Sequence, residues 1–301
     1  METVEARFIR KILEEITRKD PFHARTLIKG MEELGGKEYI RLIKMIFNYF
    51  KKQGLSAGEV AEDYLKMIED MRREMKYFNI HGEYSCKNQE EAYNKVYSNP
   101  EVMGYYMNAL ILTNMLWSHH FEMFSYFSVI IKHLPIKSAH KRVLDVGSGH
   151  GLYADTVRQS KWNSQIDILD ISASSLKAIK EMIGEEGLNF IQSDILEYDS
   201  KDKYDFIILG EILEHMDNPL ELLKKAGDLL HQDGLIWISV PTNAPAIDHV
   251  YLFKNKKEVL DLIDQAGLYV YLRRIITIEG TTQLIGIFCG KNENKTNSGD
   301  K

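Results

Sequence analysis

Val143-Leu144-Asp145-Val146-Gly147-Ser148-Gly149-His150-Gly151 decides how the rest of this 301-residue chain reads. An apolar run ends in an acid and a glycine-rich turn, and a helical pattern follows over residues 152–159. Glycines permit a tight turn and a close approach of backbone N–H groups to a ligand, while the N-terminus of the following helix adds positive potential. Asp145, at the end of the apolar run, is placed to receive a cationic amino group. A nucleoside carrying an amino-acid tail meets these demands better than a pyrophosphate, although glycine-rich strand-to-helix turns also serve dinucleotides. His150, inside the turn, reads as a tolerated variable position.

The order of the segments downstream narrows the choice. Residues 165–170 read as a second short buried strand ending in Asp170, nineteen residues beyond Gly151. A ribose-binding acid stands about 20 residues beyond such a turn. Its carboxylate can accept both ribose hydroxyls, at roughly 1.5–3 kcal/mol per charged hydrogen bond. Residues 188–191 read as a third strand, followed by Ser193-Asp194-Ile195. Residues 204–210 and 234–240 read as the fourth and fifth. The last pair, 269–278 and 283–289, is joined by Glu279-Gly280-Thr281-Thr282 and reads as a hairpin.

Five strands alternating with helices and then a terminal hairpin, entered through this glycine turn, resemble the class I S-adenosylmethionine (SAM) methyltransferases over residues 141–290. The resemblance implies a Rossmann-like α/β fold, a parallel sheet ending in an antiparallel hairpin, with SAM as cofactor. It places the methionine end of SAM at Asp145, Gly147, Ser148, Gly149 and Gly151. The ribose falls at Asp170, Ile171 and Ser172, and the adenine at Asp194 and Ile195. A dinucleotide-binding oxidoreductase is the alternative that the glycine turn alone leaves open.

After the fourth strand comes Gly210-Glu211-Ile212-Leu213-Glu214-His215-Met216-Asp217-Asn218-Pro219. On a helical turn Glu211, Glu214 and His215 stand at i, i+3 and i+4 and share a face. The segment leaves the carboxyl end of a central strand, where ligands bind in open α/β sheets. After the fifth strand, a loop containing Asp248-His249 can fold back over the same place. Glu-x-x-Glu-His with a distant His resembles the ubiquinone-pathway O-methyltransferases and the small-RNA 3′-terminal 2′-O-methyltransferases. By that resemblance Glu211, Glu214, His215 and His249 map onto ligands of Mg2+ or another divalent metal that engages acceptor hydroxyls. The alternative is a metal-free site, in which Glu211 orients SAM or the acceptor and His215 is structural. A histidine then serves as general base, its pKa lying near working pH; His249, His215, His120 and His119 are the candidates.

The first 134 residues read as a helical domain. Phe8, Ile9, Ile12, Leu13 and Ile16 keep helical spacing up to Asp20-Pro21, Ser56-Ala57-Gly58-Glu59 matches a capping box, and Asn99-Pro100 opens a further helix. The resemblance to small-molecule methyltransferases implies that such an addition covers the acceptor pocket and supports a homodimer, the plainer reading being a helical extension or partner-binding module. Pro135-Ile136-Lys137-Ser138 reads as the linker into the sheet domain, and residues 291–301 as a disordered tail. Residues 102–121 hold no formally charged side chain, yet Gly104, Asn108, Asn114, His119 and His120 are a heavy polar load for a membrane span, so a buried or pocket-lining helix is expected. Tyr105, Tyr106, Trp117, Phe121 and Tyr251 are the candidate apolar walls. A net charge of −6 weighs against a nucleic-acid partner held by phosphate contacts. Cys86 and Cys289, without metal-type spacing, suit a reduced, cytoplasmic protein. The expected function is methyl transfer from SAM to a small-molecule acceptor, at oxygen. The alternatives are N-methylation, RNA 2′-O-methylation, and a SAM-binding protein without methyl transfer.

Overall fold

The computed structural model describes residues 2–134, 141–160, 162 and 164–291. Seven helices precede the sheet: α1 Val4–Lys19, α2 Pro21–Met31, α3 Gly36–Gln53, α4 Ala57–His81, α5 Gln89–Ala92, α6 Pro100–Leu116 and α7 Ser118–His133. Their starts are written locally. Ser56 accepts from the Glu59 N–H while the Glu59 carboxylate accepts from the Ser56 N–H, a complete capping box that opens α4. Asn99 caps α6 and Pro100 takes its first position, where a missing N–H costs nothing. Between α5 and α6 the chain makes one wide π turn, Tyr93–Tyr97. The uncharged 102–121 segment is two helices with a break at extended Trp117, whose indole N–H donates to the Tyr64 hydroxyl. Among the described residues no helix is long and apolar enough to cross a membrane.

The sheet is built from β1 Lys141–Val146, β2 Ser164–Asp170, β3 Leu188–Gln192, β4 Tyr204–Gly210, β5 Leu230–Thr242, β6 Leu268–Glu279 and β7 Thr282–Lys291, with α8 Leu152–Arg158, α9 Ala173–Ile183, α10 Pro219–Leu229 and α11 Lys256–Gln265 between them. The order is β3-β2-β1-β4-β5-β7-β6. All pairs are parallel except β5–β7 and β6–β7. Strand order reverses beside β1, so the carboxyl ends of β1 and β4 flank a crevice where open α/β sheets bind ligands. The expected linker 135–138 lies outside the described residues. Of the expected tail, Lys291 closes β7 and the rest lies outside them too.

One face of the sheet buries Leu222, Leu223 and Leu229 of α10 with Val259 and Ile263 of α11. The other receives α8, α9 and also α7, whose Phe127 ring lies 4.6 Å from Tyr153 and 5.2 Å from Trp237. Burying such an aromatic contributes roughly 1.5–3 kcal/mol. Because α6 runs directly into α7, this packing seats α6 above the crevice.

Candidate active site

The glycine turn is held at both ends: the Gly147 N–H donates to the Leu169 carbonyl at 2.9 Å, and the Gly151 N–H to the Ser148 carbonyl at 2.8 Å. Gly147 has φ +62°, which favours glycine, and a Cβ there would lie 2.6 Å from Ile212 Cδ1, so the tip of that side chain would have to move aside. Asp145 is buried at the end of β1, its Oδ2 has no hydrogen-bond partner, and burial pushes its carboxyl up to about 7. The Ser148 hydroxyl is likewise buried, and it and the Ala154 N–H lie close enough to Asp145 to oppose, without outweighing, the effect of burial on its carboxyl. Asp170 ends β2; burial raises it to about 6, although its Oδ1 accepts from the Ser172 N–H at 2.8 Å. Asp194 forms an Asx turn to the Leu196 N–H at 2.9 Å, with Ile195 buried beside it. Asp145, Gly147, Ser148, Gly149, Asp170, Ile171, Ser172, Asp194 and Ile195 line one cavity of about 670 Å3, whereas Gly151, expected at the same ligand, packs against Ile179 and Ile183 instead. Buried carboxylate and hydroxyl oxygens around a glycine cradle, with accepting capacity left over, fit the amino and hydroxyl groups of a SAM-like nucleoside.

The same cavity continues to the segment after β4. Here the expected helical turn is not formed. Gly210 packs so close to Tyr153 that a Cβ would lie 2.7 Å from its ring, and the Glu211 N–H is tied to the Ser239 carbonyl on β5 at 2.8 Å. These tertiary constraints force Glu211 to φ +52°, and only Leu213–His215 form a single 3-10 turn. Glu211 therefore stays outside the cluster that Glu214 and His215 form, although it remains close enough to feel their charge. It faces His120 instead, 4.0 Å from Nε2, with its carboxyl raised to about 7 by burial.

Glu214, His215 and His249 do converge, each offering a ligand atom within 4.8 Å of the others. The loop after β5 is fastened over the turn by the Val250 and Tyr251 N–H groups, which donate to the Glu214 carbonyl at 2.8 and 2.9 Å. Glu214 is 1% exposed, and neither carboxylate oxygen has a hydrogen-bond partner. Burial, with Glu211 nearby, raises its carboxyl well above the usual range. His215 Nδ1 lies 3.0 Å from the Asp248 carbonyl and His249 Nδ1 2.6 Å from the Ala244 carbonyl. A carbonyl only accepts, so both rings carry the proton on Nδ1 and leave Nε2 free, the arrangement common in metal-ligating histidines. A divalent cation fits this donor set and the orphaned Glu214 oxygens.

His120 is fixed the same way. The Thr113 hydroxyl donates to the Leu110 carbonyl at 2.7 Å, so it accepts from His120 Nδ1 at 2.9 Å. That leaves the His120 Nε2 lone pair facing the cavity. Burial lowers His120 and His249 to about 4 each, so both are neutral bases at pH 7. His119, lowered to about 3 by burial, packs against Trp117 and His120. His150, read as a tolerated variable position, is buried edge-on to Tyr49 and lines the cavity. Of the five candidate walls only Tyr106 faces the cavity. The others are engaged elsewhere: Tyr105 donates to Asp70, Trp117 to Tyr64, Phe121 stacks edge-on to Tyr39, and Tyr251 packs on Phe253.

Two participants escape a sequence reading. Asp248 is 2% exposed and accepts from the hydroxyls of Tyr97 and Tyr106, each at 2.9 Å. Burial opposes its charge, yet His215, His249 and the two phenols hold its carboxyl below the usual value. The one available signal was an acid immediately before His249. The π turn that aims Tyr97 leaves no such mark.

Comparison with known proteins fits this geometry. The family profile for the methyltransferase domain matches residues 106–274, more than half of the chain. The chain belongs to the class I SAM methyltransferase family. It is 36% identical over 98 residues to malonyl-[acyl-carrier protein] O-methyltransferase 2 of Ilyobacter polytropus, covering 32% of this chain and 38% of that protein. It is 28% identical over 131 residues to the ubiquinone biosynthesis O-methyltransferase of Glaesserella parasuis, covering 41% and 54%. The methyltransferase chain thus spans about two-fifths to one-half of these relatives' lengths. Among solved structures, the N-methyltransferase NodS of Bradyrhizobium japonicum, in complex with S-adenosyl-L-homocysteine, shares the fold at TM-score 0.50 and 12% identity, over 68% of this chain and 100% of that one.

Proposed function

We propose that this chain transfers a methyl group from SAM to an oxygen of a small-molecule acceptor, assisted by a divalent cation at Glu214, His215 and His249. The observation that carries the reading is a single cavity joining the glycine turn, Asp145 and Asp170 to the Glu214–His215–His249 cluster. SAM supplies a methyl carbon already activated by its sulfonium, so the protein's task is placement. Holding reactants in line can supply roughly 7–11 kcal/mol in the best cases. Asp145 and the turn N–H groups bind the amino-acid end, Asp170 the ribose, and Asp194 with Ile195 the adenine. The α6 side chains Met103, Tyr106, Met107 and Leu110 cover the acceptor and exclude water. The cation would polarise an acceptor hydroxyl. His120 Nε2, neutral and free of a hydrogen-bond partner, is placed to hold the released proton. Cys86 and Cys289 are free buried thiols, which suits a cytoplasmic location.

The test is transfer of isotopically labelled methyl from SAM into fractionated cell extract, with and without a chelator. Label in a small-molecule fraction that vanishes with chelator and returns with magnesium is the expected result. Chelator-resistant label removes the cation and leaves a histidine base; label in RNA or protein overturns the acceptor class.

A further inference from the structure

Between α4 and α6, residues 82–98 run as a strap along the cavity, to which they lend Gln89, Glu90, Ala92, Tyr93 and Tyr97. The strap starts at Gly82, which caps α4 at φ +70°, and only Tyr84, Cys86, Ala92 and Val96 in it are buried. A segment with so little buried surface is held by its hydrogen-bonded ties and opens readily where they are weak. Among the described residues, Tyr84, Gln89 and Tyr97 tie it to the loops after β4 and β5, and each tie ends beside a member of the Glu214–His215–His249 cluster. The Tyr84 hydroxyl accepts from the Ala244 N–H at 3.2 Å, and the carbonyl of the same Ala244 accepts from His249 Nδ1. The Gln89 N–H donates to Asp217 Oδ1 at 2.8 Å while Gln89 Oε1 accepts from the Asp217 N–H at 3.2 Å, two residues beyond His215. The Tyr97 hydroxyl donates to Asp248 Oδ2 at 2.9 Å and lies 3.3 Å from His215 Nδ1, which itself donates to the Asp248 carbonyl.

Resting on the cation reading above, we infer that Tyr84, Gln89 and Tyr97 are positioning residues that make closure of the strap over the cavity depend on a filled cluster. With their Nε2 atoms engaged by a cation, the rings of His215 and His249 donate more strongly through Nδ1 to the Asp248 and Ala244 carbonyls. The loop that carries both anchor points, the Asp248 carboxylate and the Ala244 N–H, is then fixed where Tyr97 and Tyr84 meet it. By linkage a closed strap tightens cation binding by the same factor. Water is thereby excluded from the cavity once the group that polarises the acceptor is in place.

The test is amide hydrogen exchange on the full chain, read across residues 84–98 with and without magnesium or manganese chloride. Ion binding is measured by calorimetry on the same preparation. The wild type is compared with Tyr97→Phe, which keeps the ring and loses the hydroxyl, and with Gln89→Ala, at a half-buried position outside the core. The ion is expected to slow exchange about tenfold in the wild type and no more than about threefold in either variant, with ion affinity in the variants weakened by about threefold or more. A tie that only supports the fold changes exchange equally with and without the ion, and that result overturns the inference. Ion binding without slower exchange in the wild type also overturns it, and leaves the cation reading intact. Absence of ion binding to the wild type overturns that reading and this inference together.

Discussion

Replacing Asp170 with asparagine is expected to weaken SAM binding and at the same time stabilise the free protein. The carbonyl of the new amide can still accept from the Ser172 N–H, so the turn into α9 keeps the bond that Asp170 makes at 2.8 Å. What is lost is charge. A charged hydrogen bond contributes roughly 1.5–3 kcal/mol and a neutral one about 0.5–1.5. Over two ribose hydroxyls the difference is about 2 kcal/mol, or roughly 30-fold in Kd. The opposite sign governs stability. Burial raises the Asp170 carboxyl from 3.8 to about 6, so the folded state favours the protonated form. Well below pH 3.8 the group is protonated in folded and unfolded chains alike and costs nothing. The penalty grows as pH rises through 6, reaching at most about 3 kcal/mol. An amide carries no such penalty, so at pH 8 Asp170→Asn should raise Tm by roughly 2–6 °C, with the gain fading by pH 4. Calorimetric titration with SAM and thermal unfolding at the two pH values measure both effects. An unchanged Kd removes Asp170 from the ribose site; a stability gain equal at pH 4 and pH 8 refutes the burial argument.

Gly147→Ala should destabilise the fold by about 1–2 kcal/mol from the left-handed φ alone, with Ile212 adding a clash that Gly147→Ala/Ile212→Ala relieves; a denaturant midpoint equal to wild type would contradict this. Glu214→Ala should abolish magnesium stimulation while leaving SAM affinity within about twofold, and equal stimulation in the variant rules out the cation site. Asp248→Ala leaves the Tyr97 and Tyr106 hydroxyls buried without their acceptor, at about 1–3 kcal/mol each. Urea unfolding should report a loss of about 2–6 kcal/mol for the two hydroxyls together, and combination with Tyr106→Phe should be less than additive; full additivity means the two do not interact.

Much of the architecture was readable because its signals are local. The fourth strand matches β4 at both ends, the Ser56–Glu59 capping box opens α4, and Asn99-Pro100 opens α6, each set by neighbours within four residues. The turn after β4 was misread because its geometry is tertiary. Close packing of Gly210 on Tyr153 and the Glu211–Ser239 bond turn Glu211 out of the helical register that its i, i+3, i+4 spacing implies. The same limit hid Asp248, whose two tyrosine partners stand 142 and 151 residues away in sequence. Likewise α7, which reads as one more helix of the N-terminal region, owes its place on the sheet to Phe127 packing against Trp237 and Tyr153.

The most direct test of the central claim is acceptor-dependent conversion of SAM to S-adenosylhomocysteine, followed with purified protein and a small-molecule extract. The expected result is turnover by the wild type that is lost in Asp145→Ala together with SAM affinity, and lost in His249→Ala with SAM affinity retained. Measurable SAM binding with no S-adenosylhomocysteine formed above the extract alone would contradict methyl transfer, and would make the chain a SAM-binding protein whose cavity does no chemistry.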